Sequence, residues 1–305
     1  MIIEKVVEEI INWSYAQDGA SEKSIKKIKK DLIEKIQSPK NYFSIDYQNG
    51  KIERLVLAEF SDTPFELDRI QVVCFILPEK ELTTKGVKKE LCLIRDFFRP
   101  KKLKLVFAFY PEHEKFHQTI KRIGFKLNGV KLKGSVNKSY QALRKSKLPI
   151  LPEGFSVRYM NYKNDIDKVM KVERSAHRNE SSSVVHKLPR KHWVSFRDFL
   201  KGPAKAKNAF VLEYNGEIIG FAAHNRREDL MGNSMIATIS IKPVFKGQGL
   251  SKQLYLKVLE DMSKKKIKEY YGFSKTKQVL KFSKKIERSP ILYSYVLDKD
   301  SLQNI

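Results

Sequence analysis

Residues 234–262 read SMIATISIKPVFKGQGLSKQLYLKVLEDM. The β-branched run SMIATISI has the composition of a strand, and Pro243 stops it two residues later. Gly247 and Gly249, with a single residue between them, then open an amphipathic helix in which Leu250, Leu254, Val258 and Met262 recur at helical spacing. A turn of this kind points successive backbone N–H groups outward at a helix N-terminus, where the dipole also favours negative charge. Glycine suits it because a side chain would block the approach of a phosphate to the backbone. On its own, G-x-G before a helix is equally a tight structural turn, so the surroundings decide.

Two Asn-Gly pairs, at 49–50 and 215–216, sit between alternating runs and predict β-hairpins. The first is followed by RIQVVCFIL, TKGVKKELCLIRDFF, KLKLVFAFY and HEKFHQTIKRIGF, which read strand, helix, strand, helix. After the second, SMIATISI, GLSKQLYLKVLEDMSKK, IKEYYGFS and KTKQVLKFSKKIE repeat that order. Each half opens with helical material, EKVVEEIINWSYA and SEKSIKKIKKDLIEKIQ in the first, KNDIDKVMKVERSAH and RKHWVSFRDFL in the second. One α/β unit is used twice. The Pro- and Gly-bearing stretch KSKLPILPEGFSV reads as the linker, which puts the division near Leu148 and the domains at 1–147 and 148–305. A chain of 305 residues suits two domains.

The strand, Pro243 and the glycine turn together resemble the acyl-CoA-binding signature of the GNAT acetyltransferase superfamily, Q/R-x-x-G-x-G/A. Here it reads Val244-Phe245-Lys246-Gly247-Gln248-Gly249, with Val244 in place of the first Gln or Arg. The likeness runs over residues 154–298 in element order and more faintly over the first half. It implies an α/β (α+β) protein of two GNAT-like domains, each a mixed, mostly antiparallel sheet flanked by helices. The resemblance also implies acetyl-CoA as cofactor. Ile239, Ser240 and Ile241 would lie along its pantetheine arm, and Phe245, Lys246, Gly247, Gln248, Gly249, Leu250 and Ser251 would cradle its pyrophosphate. The next strand, EYYGFS, would splay away to admit the thioester, with a backbone amide near the splay polarising the acetyl carbonyl.

In the first half the matching stretch, PEKELTTKGVKKEL, has Gly86 alone and places Glu79 and Glu81 where a phosphate would approach. Carboxylates repel a polyphosphate, so this half is expected to bind no cofactor and to serve as a structural partner or substrate wall. Many GNAT members protonate the leaving thiolate with a Tyr in the helix after the splayed strand, and Phe282 stands near that position. Tyr271, Ser274, Tyr293, Tyr295 or water must then supply any acid. His224, Glu228 and Glu173 are the candidate bases, each of them otherwise a polar surface residue.

Sixty Lys and Arg against 35 Asp and Glu give a net charge of +25 that both halves share. Such an excess attracts polyanions, RNA and anionic lipid included, and is equally what a lysine-rich solvated surface gives. No apolar run approaches the roughly 18 residues of a membrane helix, and the opening MIIEKVVEEI is acidic where a signal peptide is basic, so a cytoplasmic protein with no membrane partner is expected. Cys74 and Cys92 sit in apolar stretches and read as buried free thiols.

His113, Glu114 and His117 spell H-E-x-x-H, but the continuation QTIKRIGFKL supplies no third ligand, and no metal site is expected. The polar run NESSSVVHKLPRKHWVSF reads as a mobile loop before a helix, with Trp193 and Phe196 lining an acceptor groove if the resemblance holds. In SKKKIKEYY basic residues precede aromatics, as in single-strand nucleic-acid binders, though Tyr270 and Tyr271 read better as strand residues.

The sequence therefore favours an acetyl-CoA-dependent N-acetyltransferase whose acceptor, a small-molecule or peptide amine, attacks the thioester directly, in a monomer or homodimer. A Fem-like aminoacyl-tRNA-dependent transferase suits the charge, yet a tRNA donor does not require the glycine cradle. A non-catalytic CoA- or RNA-binding scaffold is the third reading, and nucleic acid is a possible but unfavoured partner.

Overall fold

Both Asn-Gly pairs adopt the left-handed backbone that a two-residue hairpin needs, with φ of 51° and 73° at Asn49 and Gly50 and of 49° and 80° at Asn215 and Gly216. The structure, a computed structural model, describes residues 2–15, 22–63, 66–98, 104–109, 114–146, 151–176, 190–226 and 233–303. In chain order the elements are α1 (Ile2–Tyr15), α2 (Glu22–Gln37), β1 (Tyr42–Gln48), β2 (Lys51–Thr63), β3 (Glu66–Ile76), α3 (Thr84–Phe98), β4 (Lys104–Phe109), α4 (Glu114–Ile123), β5 (Lys126–Ser135) and α5 (Val136–Lys145). The second repeat has β6 (Phe155–Tyr159), α6 (Tyr162–Ala176), α7 (Arg190–Lys205), β7 (Ala209–Tyr214), β8 (Glu217–Arg226), β9 (Ser234–Ile241), α8 (Leu250–Lys264), β10 (Glu269–Ser274), α9 (Lys277–Lys285), β11 (Arg288–Leu297) and α10 (Lys299–Gln303). No helix among the described residues is long and apolar enough to cross a membrane.

The chain folds into two units, 1–131 with 290–305, and 132–289. They depart from the linear division at 147/148 because the repeats exchange their closing segments. In the first unit β11 pairs antiparallel with β4, Tyr293 opposite Phe109 through Leu297 opposite Leu105, giving the strand order β1-β2-β3-β4-β11. In the second, the end of β5 lies beside β10 in the order β5-β10-β9-β8-β7-β6, and the Val136 N–H donates to the Lys268 carbonyl at 2.9 Å. Each exchanged segment feeds the core it joins: Tyr295, Leu297 and Leu302 are buried in the first unit, Val136 and Leu143 in the second.

In the first unit, α3 and α4 cover one sheet face through Phe75, Phe107, Phe116 and Phe125, whose rings meet at centroid distances of 5.1–5.9 Å. The other face takes Val6, Ile10 and Leu32 of α1 and α2. Cys74 is buried on that face and its thiol is pushed up by burial, whereas Cys92 is half-buried. In the second unit α6 and α7 bury Ile166, Val169, Phe196 and Leu200 against β7 and β8. On the opposite face α8 and α5 bury Leu254, Val258, Met262 and Leu143.

One ion cluster in the first unit bears directly on stability. Glu90 of α3 is 1% exposed and accepts hydrogen bonds from Arg54 Nη1 at 2.6 Å and the Tyr42 hydroxyl at 2.7 Å. Arg54 also meets Glu81 at 2.6 Å and Asp46 at 2.9 Å. Replacing Arg54 by Met leaves a buried carboxylate without its cation, and we expect a loss of about 3 kcal/mol in urea unfolding. The double variant Arg54→Met/Glu90→Gln is expected to recover part of it.

Candidate acyl-donor site

Past β9 the chain makes a short 3-10 turn over Pro243–Phe245 and reaches Gly247 (φ 89°) and Gly249 (φ 77°), both left-handed. Gly249 is the N-cap of α8 and offers no side chain to the helix; the Lys252 N–H donates to the Gly249 carbonyl at 2.9 Å, and the N–H groups of Leu250 and Ser251 before it have no side-chain cap. A Cβ built on Gly247 would meet nothing within 4 Å, so the space above the turn is open. The Phe245 ring turns inward against Phe155 and Tyr214, at 6.2 and 5.7 Å. Lys246 Nζ donates to the carbonyl of Ala176, the last residue of α6, at 2.9 Å, which ties the turn to that helix. Leu250 is buried under the helix while Gln248 and Ser251 are exposed. Val244, where the GNAT signature has Gln or Arg, is 78% exposed and points to solvent.

The corresponding helix start in the first unit is closed. Thr83 caps α3 with its own hydroxyl, accepting from the Gly86 N–H at 3.2 Å, and its carbonyl accepts from the Val87 N–H at 2.9 Å. A Cβ on Gly86 would overlap the Glu81 carbonyl. Glu81 itself is held by Arg54, and Glu79 pairs with Lys115 at 3.3 Å.

β9 and β10 are parallel and pair only at Ser234 with Tyr270 and Met235 with Tyr271. Beyond these pairs the strands part, which leaves Ile239, Ser240 and Ile241 unpaired with β10. On its other side β9 pairs with β8 through a bulge: Thr238 faces Ala223, Ile236 faces His224, and Ala237 is the extra residue. Thr238 and Ser240 thereby share the face covered by α6. Ser240 Oγ donates to Glu173 Oε2 at 2.5 Å and Thr238 Oγ1 to the same oxygen at 3.4 Å. Glu173 is 3% exposed, a buried carboxylate beside the strand that leads into the glycine turn.

His224, proposed from sequence as a base, is fully buried with both ring nitrogens engaged, Nδ1 by Ser234 Oγ at 2.8 Å and Nε2 by Asp261 Oδ2 at 2.9 Å. Asp261 also accepts from Lys265 at 2.7 Å and from the Tyr159 hydroxyl at 3.2 Å. This Ser–His–Asp array matches that of nucleophilic hydrolysis only in composition, since Ser234 has no exposed surface. The array instead clamps β8, the start of β9 and α8 together. Burial lowers the His224 pKa below its ordinary value, with Asp261 opposing. Burial would raise the Asp261 carboxyl, but hydrogen bonds from His224 and Lys265 outweigh it and hold the carboxyl low. An unfolded His224 takes up a proton near pH 6.5 that the folded one resists, so folding stability falls as pH drops through and below that value. We expect thermal unfolding to show that fall in the wild type and a flatter profile in His224→Gln.

The remaining sequence-derived candidates scatter. Tyr271 is buried in β10 with Lys133 Nζ 5.9 Å from its ring centre. Ser274 is buried and donates to the Thr276 carbonyl at 3.4 Å. Tyr293 and Tyr295 fall in the first unit, and the Tyr295 hydroxyl meets His117 Nδ1 at 3.0 Å. His117 is thus engaged with tyrosine, while His113 lies outside the described residues, as does Glu228. Phe196 is 4% exposed inside the α6–α7 core and lines no groove, a correction that follows from its place on the apolar stripe of α7. The Trp193 side chain lies outside the described residues. Phe282 packs on Tyr255 at 5.4 Å. Sequence reasoning missed the bulge at Ala237 and the hydroxyl pair on Glu173, for which the Thr-x-Ser alternation in a buried strand was the available signal.

Residues 169–278 match the acetyltransferase (GNAT) family. No curated protein matches the sequence. Among solved structures, a GCN5-related N-acetyltransferase from Sphaerobacter thermophilus superposes with a TM-score of 0.66 at 12% identity, covering 96% of this chain and 91% of that one. A tandem GNAT protein from the clavulanic acid biosynthesis pathway superposes with a TM-score of 0.53 at 10% identity, covering 97% and 95%. At these identities the likeness is one of fold, and it extends over both repeats. The match over 169–278 takes in most of α6, the splayed strand pair, the glycine turn and α8, and that segment is the part of the chain that matches the GNAT acetyltransferase family.

Proposed function

We propose that the chain is an acetyl-CoA-dependent N-acetyltransferase whose donor site lies in the second unit. The observation that carries this reading is the uncapped N-terminus of α8 behind two left-handed glycines, set at the end of a strand that has parted from its parallel neighbour. The N–H groups of residues 247–251 would hold the pyrophosphate, and the backbone of Ile239–Ile241, free on its β10 side, would hydrogen-bond the pantetheine amides. The bound donor supplies an activated acyl thioester. Glu173 receives the proton that the acceptor amine gives up, with Thr238 and Ser240 fixing its orientation. Phe282 donates no proton, so the leaving thiolate is protonated by water or by a hydroxyl of β10. The closed start of α3 supports a single donor site per chain.

The test is release of free thiol from acetyl-CoA in the presence of a panel of small amines and lysine-bearing peptides. Amine-dependent release supports the reading, and binding of acetyl-CoA without release on any amine favours the scaffold alternative.

A further inference from the structure

The strand exchange places α5, from the first repeat, and α9, from the second, on one buried cluster of the second unit. Ser139 Oγ of α5 donates to the carbonyl of Ile286, just past α9, at 2.6 Å, and accepts from the Tyr270 hydroxyl at 2.9 Å. Val136 and Leu143 of α5 share one buried cluster with Ile286, and Tyr140 and Phe282 pack against it. With their apolar stripes committed to that core, both helices turn their remaining side chains outward. Neither α5 (VNKSYQALRK) nor α9 (KQVLKFSKK) contains an acidic residue. Lys138, Arg144 and Lys145 of α5 and Lys281, Lys284 and Lys285 of α9 are all exposed, and none of the six forms an ion pair among the described residues. Elsewhere in this unit exposed cations do pair, as Lys264 with Glu260 and Arg197 with Asp167. The helix dipole accounts for basic residues in a last turn, but not for Lys138 and Lys281.

We propose that the exposed basic faces of α5 and α9 together form an RNA-binding surface. Unpaired cations in this number supply the phosphate attraction. The shape and the neutral groups favour RNA over an anionic bilayer. A groove of about 570 Å³ runs along α5, lined by Asn137, Lys138, Gln141, Ala142, Lys145 and Glu287. A strand of nucleotides can follow a groove that a flat lipid surface cannot. The amides of Asn137 and Gln141 can donate to and accept from base edges, and the Glu287 carboxylate can accept from a ribose 2′-hydroxyl or a base amino group but repels a phosphate. Arg144 lies 5.8 Å from the Tyr140 ring and presents a planar cation on which a base can stack.

The experiment measures anisotropy of a labelled oligouridylate titrated with the full chain, without acyl donor, so its outcome does not depend on the acetyltransferase reading. The variant Lys145→Glu/Lys284→Glu/Lys285→Glu is compared with Lys26→Glu/Lys27→Glu/Lys30→Glu, which makes the same charge change on exposed positions of α2. We expect the first variant to bind at least about tenfold more weakly, with a log–log salt slope shallower by about 2, and the second to lose less than about twofold. Equal losses in both variants would show that binding follows net charge alone and would overturn the proposal. So would absence of wild-type binding to the oligonucleotide, or binding to anionic vesicles in its place.

Discussion

Gly249→Val is expected to reduce acetyl-CoA affinity by at least about a hundredfold, close to 2.7 kcal/mol. Two effects combine. Gly249 stands at φ 77°, which a β-branched residue adopts only under strain, and its Cβ substituents would occupy the approach to the first-turn N–H groups of α8. Because strain could act through folding, a second variant separates the causes. Ser251 is exposed in the first turn of α8, and Ser251→Glu places a carboxylate where the helix dipole welcomes it and a pyrophosphate does not. Thermal unfolding of Ser251→Glu is expected to match or exceed wild type, while calorimetry shows the affinity lost by about tenfold or more. Normal affinity in both variants would remove the glycine turn from the binding site.

Glu173→Gln is expected to lower kcat by about a hundredfold with little change in acetyl-CoA affinity. The amide keeps an oxygen to accept from Ser240 and Thr238, so the local hydrogen bonds survive while the proton acceptor is lost. A structural role and a base role differ in how the deficit varies with the acceptor. An amine of low pKa is already neutral and needs no base to take a proton from an ammonium form before attack, so the deficit should shrink along a series of acceptors of falling pKa. A deficit constant across that series, or one that follows a loss of thermal stability, would assign Glu173 to packing.

Element types and many ends were legible in the sequence: β9 runs Ser234–Ile241 and α3 runs Thr84–Phe98, as the runs SMIATISI and TKGVKKELCLIRDFF imply. The Asn-Gly turns and the left-handed glycine turn before α8 were legible because each needs a backbone conformation that few residues adopt. The exchange of closing strands was not. KLNGVKLKGS and RSPILYSYVL both alternate, and alternation says which side of a strand is buried without saying in which sheet. That exchange puts Tyr293 and Tyr295 in the first unit and α5 in the second.

His224 and Glu173 looked alike in the sequence, two polar residues in amphipathic stretches. What separates them is tertiary: Asp261 lies one turn from the end of α8 and closes on His224, while the bulge at Ala237 turns Thr238 and Ser240 toward Glu173. A one-residue bulge leaves no signature in composition, yet it sets which strand side chains face α6.

On the proposed function, one open helix start, that of α8, holds the acyl donor, while the Thr83-capped start of α3 does not. Titration calorimetry of the wild-type chain with acetyl-CoA tests it most directly. The account predicts saturable binding of one acetyl-CoA per chain, and two equivalents per chain, or none, would contradict it.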